Sequence, residues 1–252
     1  MQRVFLFVLV ALAILVPAPS SMAISPKATP RVLILSSVES QYPMEYIVEV
    51  TAELQQAGYN VTFVKGAAIT VSFITTQLDK YDIVIWRTEM YVLGNTTYWY
   101  LGEQANQTTQ EAYARAISIR TIDVSNGMLA VSADFLSSNF GPKSLANVKL
   151  AILISSTSVT VAQIFILAGV KTTIDFYQQS LYQESPLPGE TVNAPLSLFD
   201  WVTQSLVSSL TTGSTVSDSI AKTIYNYEYV SSLNDIYLPP ISFLGDGNLQ
   251  IV

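Results

Sequence analysis

The groups best placed for chemistry in this chain are oxygens. Glu89, Asp134 and Asp175 are acids beside predicted strands, and Ser155-Ser156-Thr157-Ser158 is a hydroxyl run between an apolar segment and a helix. Two carboxyl groups about 5–10 Å apart across a cleft can cleave a glycosidic bond. Glu89 with Asp175 or Asp134 is the pairing such chemistry would use. The same three acids in one cleft would suit calcium. No loop has the Asp/Asn/Gly spacing of a cation site, and strand-end and capping roles account for the acids, so no metal is predicted. A serine hydroxyl needs a base before it attacks. The chain has no histidine and no cysteine. Imidazole and thiolate catalysis, Cys/His zinc sites and disulfides are thereby excluded. No Gly-rich phosphate loop or dinucleotide fingerprint occurs, so neither a nucleotide nor any other cofactor is expected. Asp246, between two glycines, reads as a turn residue.

Half of the 252 residues are hydrophobic, 12% are charged and the net charge is −7. That balance suits a packed core. It disfavours nucleic acid and anionic membranes as partners, and no basic run reverses the judgement locally. Met1-Gln2-Arg3, the apolar stretch from Val4 to Val16 and Ser21-Met22-Ala23 read as a signal peptide over residues 1–23. Its apolar core is short for a bilayer span of about 20 residues. Membrane attachment is expected only if that segment stays uncleaved. Export to the cell surface or beyond follows, with a linker over 24–30 and one α/β domain over 31–252. Sequons at Asn60, Asn95 and Asn106 mark candidate N-glycosylation sites.

The elements that must position these groups read out in order. Val32–Leu35, Val61–Val64 and Asp82–Trp86 are apolar strands. Between them lie a helix from Pro43 to Gly58, with Met44, Ile47, Val48, Thr51 and Leu54 on one stripe, and a short helix over 70–80. This β-α-β-α-β series specifies a parallel sheet. A polar, Tyr-rich excursion follows from Thr88 to Ala114, with a helix at 107–116. Its Tyr91–Tyr100 cluster reads either as a recognition surface for protein or glycan or as rings packed over the sheet. Ser125-Asn126-Gly127 joins Ile117–Val124 to Met128–Ala133 as a hairpin, and Asp134 is expected to cap a short helix. Val148–Ile154 is the fourth strand, Val159–Ala168 a helix, and Val170–Phe176 the fifth strand. Helices from Pro195 and over 215–227 precede a Pro- and Gly-rich tail.

This ordered series resembles the caspase-like cysteine peptidases, with the gingipain-type and CHAT-type domains. The matching stretches are Val32–Ser36, Tyr81–Glu89, Val148–Ser158, Ala168–Lys171, Thr212–Val216 and Gly245–Leu249. The resemblance implies a three-layer α/β/α sandwich with a mostly parallel sheet and an inserted β-hairpin. It also implies a catalytic His after the third strand and a catalytic Cys after the fourth, both at the carboxyl edge where open α/β sheets hold their sites. By position these fall on Glu89 and Ser156, with Ser155 as the alternative one residue earlier. A carboxylate near its ordinary pKa is a poor base toward a hydroxyl, and Arg87 is expected to hold Glu89 ionised. The resemblance therefore implies an exported, catalytically inactive pseudopeptidase, a binding or structural module for a protein or glycan at the cell surface. A weak carboxylate-dependent hydrolase and a flavodoxin-like ligand-binding domain are the alternatives.

Overall fold

The computed structural model describes residues 29–37, 45–155, 159–176, 198–231 and 241–252. The leader, Pro43 and Pro195 lie outside the described residues, as do 24–28 of the linker. Apolar runs become the strands of the main sheet, four of them buried on both faces and the edge strand at 60–65 half-buried. They are β1 (Arg31–Ser36), β2 (Asn60–Lys65), β3 (Ile83–Arg87), β8 (Leu150–Ile154) and β9 (Thr172–Phe176). All five are parallel, in the order β2-β1-β3-β8-β9, and β10 (Ile241–Gly245) pairs antiparallel with β9.

Strand alternation divides the core in two. Val32, Ile34, Ile83, Ile85, Ile152 and Ile174 face one side, against helices α1 (Glu45–Gln56), α7 (Leu198–Thr211) and α8 (Val216–Ser231). Leu33, Leu35, Val84, Trp86, Ala151 and Leu153 face the other, against α2 (Val71–Gln77), α5 (Ala133–Asn139) and α6 (Val159–Leu167). The molecule is thus a three-layer α/β/α sandwich with a largely parallel central sheet. On α1 the buried stripe is Tyr46, Ile47, Val50 and Leu54, whereas Val48 is 66% exposed. The sequence stripe was rotated because it counted Val48 and left out the amphipathic Tyr46.

The insertion between β3 and β8 is larger than a hairpin. β4 (Met90–Leu93), β5 (Thr96–Gln104), β6 (Ile122–Ser125) and β7 (Met128–Ser132) form a second, antiparallel sheet in the order β4-β5-β7-β6. The Asn126-Gly127 hairpin is present, with φ of 51° and 74°, the left-handed pair that a I′ turn requires. Its first strand begins at Ile122 because α3 (Gln107–Ala112) and α4 (Ala114–Ser118) precede it. The β4–β5 hairpin turns at Gly94-Asn95, a pattern that marks such turns. Asn106 caps α3 through Thr109 N at 3.1 Å. Ser132, not Asp134, caps α5, its hydroxyl accepting from Phe135 N at 3.2 Å; Asp134 sits one position inside the first turn.

The inserted sheet packs its inner face, Trp99, Leu101, Ile122, Leu129 and Val131, into the same core as β3 and β8. At its root, Glu103 Oε2 accepts from Val71 N at 2.8 Å at the start of α2. Beside it, a Cβ on Gly102 would overlap the Gly66 carbonyl. Gly102→Ala is expected to lower stability by about 1–3 kcal/mol, since two backbones must separate. Denaturant melts of the variant and the parent measure the loss.

Candidate functional site

Strand order sets β3 and β8 side by side, so the ends of the third and fourth parallel strands adjoin at the carboxyl edge of the sheet. Thr88 N donates to Ile154 O at 3.0 Å, extending the pairing one residue past β3. Ser155 follows β8 and is 2% exposed. Ser156 lies outside the described residues. Glu89 is half-buried where the chain leaves β3 for β4, and its carbonyl accepts from Tyr100 N at 3.0 Å.

On the α6 side, the space between the strand ends is filled. Trp86, Thr88, Trp99, Leu153, Ser155 and Val161 surround a cavity of about 10 Å³. That is about the room one water molecule needs. The Trp86 ring stacks on Phe165 at 6.3 Å, and Phe140 meets Phe165 edge-on at 5.7 Å. Thr88 Oγ1 donates to Tyr100 O at 2.6 Å, so its proton is committed to the inserted sheet. Trp99 arrives from the insertion and is buried, as the reading of these aromatics as rings packed over the sheet expected.

On the opposite side, alternation turns Arg87 toward α1 and α7. Its Nη2 donates to Asp200 Oδ2 at 2.8 Å, with both side chains buried. Tyr46 lies with its ring centroid 5.0 Å from the guanidinium carbon, and Ser36 Oγ is 3.5 Å from Nη1. Asp200 stands in the first turn of α7, where the helix dipole favours an acid. Burial, reinforced by the Asp200 charge, pushes the Tyr46 hydroxyl pKa far upward. The guanidinium that the sequence assigns to Glu89 pairs with Asp200, a partner 113 residues away.

The three acids do not share a cleft. Asp134 is exposed on α5. Asp175 is wholly buried in β9, where its Oδ1 accepts from Ser242 Oγ of β10 at 2.9 Å. Its Oδ2 has no hydrogen-bond partner, and burial raises its pKa. Among the described residues no three acidic side chains gather to hold a metal ion. Asn60, Asn95 and Asn106 are all exposed, at the start of β2, in the β4–β5 turn and at the α3 cap. Asp246 Oδ1 accepts from Asn248 N at 2.9 Å, making a turn.

The tyrosine cluster occupies the outer face of the inserted sheet. Tyr91 stacks on Tyr98 at 5.4 Å and tilts against Tyr100 at 4.9 Å. Their hydroxyls are fixed: Tyr91 donates to Asp123 Oδ2 at 2.6 Å, Tyr98 to Arg120 O at 2.7 Å, and Tyr100 is hydrogen-bonded to Ser125 at 2.8 Å. Tyr98 and Tyr100 are buried and Tyr91 is half-buried over them. The cluster is a small core of its own, and Tyr91 is the ring that meets solvent.

Two outcomes follow from the buried charges. Asp200→Ala strands the Arg87 cation and is expected to cost about 3–5 kcal/mol, while replacing both partners by apolar residues of similar volume costs less than either single change. Chemical denaturation of the three variants tests the ordering. Asp175 has a folded pKa above its unfolded one, so its contribution is full at low pH and is lost as pH rises through the folded value. Asp175→Asn is expected to gain stability relative to the parent as pH rises from about 4, the ordinary carboxylate range. A difference that stays flat from acid to neutral pH contradicts this.

No family model matches the chain, and no curated protein matches it. Among solved structures it is similar to the flavodoxin of Streptococcus pneumonia TIGR4, with 14% identity and a TM-score of 0.28, covering 57% of this chain and 78% of that one. The fold class stands on the strand order and the layers described above, and that likeness adds no functional argument.

Proposed function

We propose that the chain is a catalytically inactive member of the caspase-like group, an exported module that binds a protein or glycan at the cell surface. One observation carries the reading: where two strand ends would present reacting groups, Trp86, Trp99 and Val161 leave a cavity of about 10 Å³. A scissile peptide does not fit there. The residue types agree with that. Glu89 stands at the histidine position, and neither imidazole nor thiol exists anywhere in the chain. β3 and β8 are neighbours, as the peptidase-like frame requires, an adjacency that flavodoxin-like sheets share.

The alternative of a carboxylate-dependent hydrolase loses its pairing, since Asp175 is sealed in β9 and Asp134 lies on an exposed helix. A flavodoxin-like ligand-binding domain keeps one supporting observation. The parallel strands follow the 2-1-3-4-5 order of flavodoxin-like sheets, whose ligand crevice opens between the first and third strands. In this chain Ser36 and Arg87 end those strands and are buried under Tyr46 and Asp200.

The purified chain is expected to show no turnover of a peptide library varied at the cleaved residue. It is also expected to leave the absorbance spectrum of added flavin mononucleotide unchanged. Peptide turnover abolished by Ser156→Ala or Ser155→Ala would refute inactivity, and saturable flavin binding would favour the second reading.

A further inference from the structure

A groove of about 460 Å³ runs across the insertion, away from the strand ends. Its walls come from α4 and α5, with Tyr113, Arg115, Ile119, Phe135, Ser138 and Asn139 among the residues that line it. Three properties of these side chains stand out. Ile119 is an apolar residue left 62% exposed, and it continues the apolar surface of Phe135 and Tyr113. Arg115 forms no ion pair among the described residues, although the protein as a whole is acidic. No acid lines the groove. Asn139 has its amide fixed by donation from Nδ2 to Phe135 O at 2.8 Å, which leaves Oδ1 as an open acceptor.

We propose that this groove binds the C-terminal residue of a peptide. The terminal carboxylate pairs with Arg115, whose guanidinium matches a carboxylate bidentately. The apolar side chain of that residue covers Ile119 and Phe135. Its amide N–H donates to Asn139 Oδ1. A free phosphate group would satisfy Arg115 but brings neither an apolar side chain for Ile119 nor an N–H for Asn139. A fatty carboxylate would satisfy Arg115 and Ile119 but brings no N–H for Asn139. The groove has the volume of ordinary ligand sites, sufficient for one or two residues. This assignment is independent of the strand-end reading, because no residue of the groove belongs to β3 or β8.

The test uses the full chain and a fluorescein-labelled pentapeptide, Gly-Ser-Gly-Ala-Leu, read by fluorescence anisotropy. Saturable binding is expected with the free C-terminus. Amidation of that terminus and the Arg115→Gln substitution should each weaken it about tenfold or more, the scale of a lost charge-assisted pair. Ile119→Ser should weaken it severalfold, and N-acetyl-leucine should compete better than decanoate at equal concentration. Arg115 and Ile119 are exposed, so these variants keep the parent fold. Absence of saturable binding, equal binding of the amidated peptide, indifference to Arg115→Gln, or decanoate competing as well as N-acetyl-leucine would each overturn the proposal.

Discussion

A guanidinium sealed at the end of the central strand governs the architecture at the carboxyl edge. Arg87 has no access to water, so its charge must be neutralised within the protein. Asp200 supplies the charge and Tyr46 the ring face, which fixes α7 and α1 over the ends of β1 and β3. The pair adds little net stability over a packed apolar equivalent. Its effect is on arrangement: α7 has one position in which its first turn meets the arginine, and the side of the sheet that would otherwise be a crevice is closed by it.

The other side of the same edge is closed by different means. Trp86 and Phe165 come from the sandwich and Trp99 from the insertion, so three large rings meet where a reacting pair would stand. Charge blocks one face and aromatic volume the other. Away from that edge, the inserted sheet and its helices carry the half-buried Tyr91, the exposed β4–β5 turn and the groove beside Arg115.

The strands of the sandwich were legible in the sequence because burial on both faces leaves an unbroken apolar run, as in Val32–Leu35 and Leu150–Ile154. The inserted sheet was half legible. Asn126-Gly127 announces one hairpin, while Gly94-Asn95 was masked by the polar and aromatic residues around it. β10 is only five residues long, set in a Pro- and Gly-rich tail, and offered no periodicity to read. The Arg87–Asp200 pair and the groove between α4 and α5 were illegible for a common reason. Each is made by residues whose proximity is decided by tertiary packing, and neither is written in local spacing. Among the acids, Asp175 was read as a strand-end ligand candidate. Its neighbour Ser242, which makes its burial tolerable, belongs to the strand the sequence reading left out.

The last residues of the chain close the structure far from where they are made. Leu249 O and Gly247 O accept from Val216 N and Ser217 N at the start of α8, and the Tyr59 hydroxyl donates to Ile251 O, 192 residues away. Leu249 and Ile251, both half-buried, pack against the core on the α1, α7 and α8 side of the sheet. The sandwich is thus incomplete on one side until residues 247–251 are in place. Such long-range closure slows folding, since the entropy of joining the ends is lost before contacts compensate.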